Sequence, residues 1–105
     1  MTAAFKMHLH KGQEDEYKKR HDEISDELKS LLKSAGISDY RIFLERSTGD
    51  LFAVMNIHNE EKLQALSAHP VMKKWWTFMK DIMDTNEDHS PVTIPLEEVF
   101  YHLTL

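Results

Sequence analysis

The residues with the clearest chemical potential are one histidine and a few aromatics. His21 stands four residues after Tyr17. On a helix that spacing makes the two side chains neighbours on one face. An imidazole exchanges protons near neutral pH and is the natural general acid or base there. Trp75 and Trp76 are adjacent. Helical neighbours diverge by about 100°, so one indole can anchor a core while the other lines a cavity. Indole faces suit apolar C–H surfaces such as those of sugars, and the indole N–H can bind a hydroxyl. Tyr40 opens a β-rich run and can present its hydroxyl at the end of a sheet. Each residue also has a plain structural reading. These are a core histidine satisfied by a carbonyl or carboxylate, a tryptophan core stripe and a structural tyrosine.

His8 and His10 share one face of a strand, a spacing that can chelate a metal. Two ligands are too few and no third stands nearby, so no metal site is expected. His58, His69, His89 and His102 form no interpretable spacing. No glycine-rich phosphate loop, G-x-S-x-G elbow or H-E-x-x-H motif occurs. Nucleotide and metalloprotease chemistry are therefore set aside. A histidine in an aromatic-lined pocket fits an enzyme and a ligand-binding module equally well.

The elements that must position these residues follow from periodicity. Ala4 to His10 alternates and predicts a half-buried strand. Gln13 to Ala35 predicts one long helix, with acidic residues at its start and Gly36 at its stop. Its apolar stripe is Tyr17, Ile24, Leu28, Leu31, Leu32 and Ala35, and His21 falls within that arc. Tyr40 to Glu45 and Leu51 to Ile57 predict a hairpin around Ser47–Asp50. Asn59 suits the N-cap of a short helix to Leu66. Pro70 suits the start of another helix, whose stripe runs from Met72 to Met83. A polar loop, Asp84 to Pro95, precedes a final strand over Leu96 to Leu103.

That order is α+β: a ferredoxin-like βαββαβ domain, a four-stranded antiparallel sheet with helices on one face. The strands carry large residues at both parities, as in Tyr40 and Phe43 or Phe52 and Met55. A bare apolar sheet face is costly in water, so a homodimer pairing sheet on sheet is expected. The 105 residues suffice for one domain, 1–105. Net charge is −5 with no basic face, which sets nucleic acid and anionic membranes aside as partners. There is no cysteine, so thiolate chemistry and disulfides are absent, in keeping with a reducing cytosol. The start, MTAAFKMHLHKG, lacks the apolar run of a secretory leader, and no stretch reaches the ~20 apolar residues of a membrane span.

Tyr17-x-x-x-His21, Tyr40, Trp75-Trp76-x-x-Met79 and the tail from Ser90-Pro91-Val92 to Glu98-Val99-Phe100-Tyr101 together resemble the L-rhamnose mutarotase family. The similarity runs along essentially the whole chain. The resemblance implies a cytoplasmic, dimeric, cofactor-free isomerase of the dimeric α/β-barrel type. It implies His21 as proton donor, and Tyr17, Tyr40, Trp75 and Trp76 as sugar-contacting residues. The substrate would be L-rhamnose or a related 6-deoxy sugar, whose α and β anomers interconvert by opening and reclosing the hemiacetal ring. Glu98 is a candidate to orient the imidazole.

Two departures stand out. Asp22-Glu23-Ile24-Ser25-Asp26 replaces a segment that in family members can contain proline and tryptophan. Asp84 and His89 stand where a proline and an asparagine are expected. Both bear on sugar preference more than on reaction type. Two rival readings share the scaffold: a cofactor-free monooxygenase acting on an aromatic substrate, and a non-catalytic ligand-binding module.

Overall fold

The computed structural model describes residues 1–101. Its elements run β1 (Thr2–His8), α1 (Glu14–Asp22), α2 (Asp26–Ser34), β2 (Ile37–Glu45), β3 (Asp50–Ile57), α3 (Glu60–Leu66), α4 (Pro70–Met79) and β4 (Ile94–Leu96). The four strands form one antiparallel sheet in the order β2-β3-β1-β4. This is the ferredoxin-like βαββαβ architecture that the periodicities predict.

Register decides which side chains meet the helices. Met7 pairs with Leu51 and Phe5 with Ala53 across β1 and β3. Tyr40 pairs with Met55, Ile42 with Ala53 and Leu44 with Leu51 across β2 and β3. Paired residues share a face of the sheet. Tyr40, Ile42 and Leu44 therefore look the same way as the buried cluster of Met7, Leu9, Tyr17, Leu51, Ala53, Met79, Ile82 and Met83. The opposite parity leaves an apolar face uncovered. Phe43 is 57% and Ile94 52% exposed there, joined by Val54 and Leu96.

The hairpin turn depends on a glycine. Gly49 adopts φ +80, and a Cβ there would lie 2.7 Å from the Leu9 carbonyl oxygen. The same residue's carbonyl accepts from the Leu9 N–H at 2.8 Å. The strand end and the turn are thus locked too closely for any side chain.

The first strand is Thr2–His8, not Ala4–His10, and the second starts at Ile37, so Tyr40 stands inside its strand and does not open it. Three further elements differ more from the sequence reading. The single helix expected over Gln13–Ala35 is two helices, α1 and α2. Ser25 is extended (φ −68, ψ 151), and its hydroxyl accepts from the Leu28 N–H. Asp26 and Glu27 follow in the first turn. A good N-cap with acidic residues behind it restarts the helix instead of continuing it. The last helix stops at Met79, short of the stripe's end. Ile82 and Met83 still bury, because the chain docks onto the end of β1: His10 N–H donates to the Ile82 carbonyl and Asp84 N–H to that of His8. The final strand is Ile94–Leu96, not Leu96–Leu103. It starts within the segment read as loop, because Pro95 is tolerated opposite Phe5 on an edge strand. Residues 97–101 carry no strand, and His102 and Leu103 lie outside the described residues.

The Ser25 cap gives a direct prediction. Ser25→Ala should lower unfolding free energy by about 1 kcal/mol in a urea titration. An unchanged midpoint would mean that the break between α1 and α2 does not depend on the cap.

Candidate active site

His21 occupies the last turn of α1. Its Nδ1 lies 2.9 Å from the carbonyl oxygen of Tyr17, one turn back. A carbonyl has no proton to give, so Nδ1–H is the donor. In the neutral ring this leaves Nε2 as a proton acceptor. The imidazole lies tilted on the Tyr17 ring, with centroids 4.2 Å apart. It meets Trp75 edge-on, at 5.1 Å and 89°. Burial is the main influence on its acidity and lowers its pKa from the ordinary 6.5. The Tyr17 carbonyl and Asp22 pull the other way without reversing the direction.

The two tyrosines feel the same desolvation with the opposite sign. Burial raises the Tyr17 phenol well above its usual 10, and the neighbouring Tyr40 adds to the effect. Tyr40 retains 37% of its surface, yet burial pushes its hydroxyl up to about 12. Desolvation at the hydroxyl, not the exposure of the whole residue, sets this direction. At neutral pH both phenols keep their protons and can donate hydrogen bonds.

These side chains enclose space. A cavity of about 600 Å³ lies between α1, α2, α4 and the helix-facing parity of β2, with Tyr17, His21, Tyr40, Ile42, Met72 and Trp75 in its wall. A smaller recess of about 70 Å³ shares those six residues and adds Trp76 and His89. So Tyr17, His21, Tyr40, Trp75 and Trp76 all line one recess. Trp75 borders both spaces and Trp76 only the smaller, as their divergence on a helix requires.

Several residues outside the sequence reading complete the site. Arg20 donates to Glu16, to the Phe78 carbonyl and, through two nitrogens, to both oxygens of Asp81. Its guanidinium also lies 4.5 Å from the Phe78 ring centroid. This clamp fixes α1, and therefore His21, against the end of α4. Ile42 and Met72 form apolar wall. Ile42 could have been found by parity, two residues along the strand from Tyr40. Met72 is one helical turn before Trp76. His89 sits in a loop without a period, and its departure from the family pattern is the signal that marks it.

Other expected features fall elsewhere. Glu98, the candidate to orient the imidazole, lies exposed beyond β4, and the Tyr17 carbonyl engages Nδ1 of that ring. His8 and His10 each sit beside a carboxylate, Asp50 at 3.3 Å and Asp84 at 3.0 Å. Among the described residues no group of three His, Asp or Glu side chains is placed to hold a metal ion. No helix among them is long and apolar enough to cross a membrane.

Comparison with known proteins gives a consistent result. The sequence model of the L-rhamnose mutarotase family matches residues 2–102. An L-rhamnose mutarotase from Formosa agariphila is 53% identical over 98 residues, covering 93% of this chain and 94% of the relative. A crystal structure of an L-rhamnose mutarotase from the same organism superposes with a TM-score of 0.91 at 50% identity, covering 98% of this chain and 99% of the other. An antibiotic biosynthesis monooxygenase reaches a TM-score of 0.61 at 8% identity over 93% of this chain and 97% of its own. At that identity the likeness concerns the fold alone.

The state of His21 can be measured directly. Ring ¹⁵N shifts should report the Nδ1–H form, with a titration midpoint below 6.5. Because the folded protein binds fewer protons here than the unfolded chain, stability is fully present above 6.5 and declines as pH falls through that window. A midpoint at or above 6.5 would contradict the desolvated, neutral imidazole.

Proposed function

The chain belongs to the L-rhamnose mutarotase family, and from that premise we propose that His21 carries the proton in its anomer exchange. The observation that bears most weight is the neutral imidazole with Nδ1 tied to the Tyr17 carbonyl, in an aromatic-walled cavity. The volume falls within the roughly 300–1,000 Å³ usual for small-molecule sites. L-rhamnose or a related 6-deoxy sugar is the substrate.

Mutarotation breaks the bond between the anomeric carbon and the ring oxygen, then remakes it on the other face of the aldehyde. The anomeric hydroxyl loses a proton and the ring oxygen gains one. Nε2 of His21 takes the anomeric proton during opening. The imidazolium passes that proton to the ring oxygen as the bond from C1 breaks, and after the carbonyl turns closure reverses both transfers. The residue is thus base in one half and donor in the other. A positioned group of this kind typically contributes about 10²–10⁴-fold. Tyr17 and Tyr40 keep their protons and donate hydrogen bonds to sugar hydroxyls. Trp75 and Trp76 pack against the apolar C–H faces and the 6-methyl group. No redox partner or strong nucleophile enters this scheme.

A second copy of the chain covers the open sheet face in this account. Phe43, Val54, Ile94 and Leu96, on β2, β3 and β4, share this face, with Ala4 and Lys6 of β1 between them. The cytoplasm is the proposed compartment, on the strength of the family.

Anomer exchange of L-rhamnose, L-fucose and D-glucose, followed by NMR at equilibrium, tests the reading. Wild type should accelerate L-rhamnose exchange, and His21→Ala should lose about 10²–10⁴-fold of that while staying folded. A fully active His21→Ala protein would sink the assignment. Trp76→Ala should raise KM, and an unchanged KM would make Trp76 structural. Phe43→Asp should shift a sedimenting dimer toward monomer. A wild-type monomer would remove the dimer proposal.

A further inference from the structure

We propose that Phe78 is a positioning residue of this reaction: it backs Trp75, and through Trp75 it holds the His21 imidazole at its working angle. The proposal rests on the mutarotase reading above.

The need for such a residue starts at the imidazole. The hydrogen bond from Nδ1 to the Tyr17 carbonyl fixes one nitrogen and leaves the ring free to tilt about that bond. Ring contacts set the tilt. Tyr17 lies 4.2 Å away, and Trp75 meets the imidazole edge-on at 5.1 Å and 89°. Contacts of this kind depend on angle as well as distance. Tyr17 is buried and shares α1 with His21, so its own place is fixed. Trp75 comes from α4 and is only half-buried.

Trp75 also divides two spaces. It borders the 600 Å³ cavity that receives the sugar. It borders as well a groove of about 380 Å³ at the start of α2, walled by Ser25, Leu28, Val71, Trp75 and Phe78. An indole with room on two sides has more than one staggered position open to it unless something stops it. Phe78 is placed to do so. It follows Trp75 by three residues and so shares its face of α4. The two rings meet at 5.9 Å and 50°. Phe78 lines the groove and neither of the two spaces that hold His21. It therefore supports the indole from the side away from the sugar.

Phe78 is held in turn. The Arg20 guanidinium lies 4.5 Å from its ring centroid. The contacts close a circuit: Arg20 to Phe78, Phe78 to Trp75, Trp75 to His21, and His21 follows Arg20 in the chain. Phe78 itself is 53% exposed and belongs to neither buried cluster. Its ring thus adds little to the core. Truncating it also spares the clamp on α1, because Arg20 bonds to Glu16, to Asp81 and to the carbonyl of residue 78, none of which is the phenyl ring. Any loss is then read at Trp75 and His21.

The test measures kcat and KM for L-rhamnose anomer exchange by NMR, with the ¹H shifts of the His21 ring, in wild type, Phe78→Ala, Phe78→Leu and Phe78→Tyr. Misplacing a reacting group by about 1 Å can cost about 10²-fold. The proposal expects kcat of Phe78→Ala and Phe78→Leu to fall by about 10–100-fold and their His21 ring signals to move. Phe78→Tyr keeps the flat ring and should restore both. Phe78→Leu keeps apolar bulk without the flat ring, so it decides the matter even where the alanine protein does not fold. An unaltered kcat in Phe78→Leu, His21 signals that stay in place, a loss confined to KM, or a Phe78→Tyr protein as impaired as Phe78→Leu would overturn it. If wild type does not accelerate exchange, the mutarotase reading falls with this one. If wild type is active and Phe78→Leu matches it, only this inference fails.

Discussion

The hydrogen bond from His21 Nδ1 to the Tyr17 carbonyl is the contact on which the site depends. It is a local bond, made within one turn of α1. It fixes which nitrogen carries the proton and leaves Nε2 as the acceptor. A helix that ran on past His21 would carry the chain away from this point. The Ser25 cap ends that course, and the Arg20 clamp holds the short helix against α4. The geometry of one imidazole is thus set by a cap, an ion pair and a backbone carbonyl together.

Desolvation gives the site its chemical character. The same burial lowers His21 and raises Tyr17 and Tyr40. In each case the neutral form is favoured. Besides Glu14, Lys18, Asp22 and Arg46, the cavity is lined by neutral donors, one neutral acceptor and apolar side chains, which suit an uncharged polyol. It suits a charged ligand poorly, since the charges near the cavity, such as Arg46 and Asp22, belong to exposed residues. Proton exchange at a hemiacetal needs little else from the protein. A positioned base, donors for the hydroxyls and an apolar wall suffice.

Much of this was legible in the sequence, for identifiable reasons. The first three strands and the hairpin followed from alternation and from Gly49. The stripe bearing Tyr17 and His21 followed from helical period, and these residues line one recess with Tyr40, Trp75 and Trp76. What escaped was set by single side chains or by tertiary contact. Ser25 broke an otherwise continuous period, and caps compete with periodicity on nearly equal terms. Ile82 and Met83 kept the helical stripe while leaving the helix, because docking on β1 buries them without helical geometry. Arg20 joins residues some sixty positions away through Asp81. His89 sits in a loop with no period to read.

The most direct test of the central claim is the acid limb of kcat/KM for L-rhamnose anomer exchange, recorded in the same samples as the His21 ring titration. If neutral His21 is the base, activity falls as pH drops, with a midpoint below 6.5 that coincides with the protonation of that ring. A rate that passes unchanged through the titration of His21, or rises with it, would contradict the account.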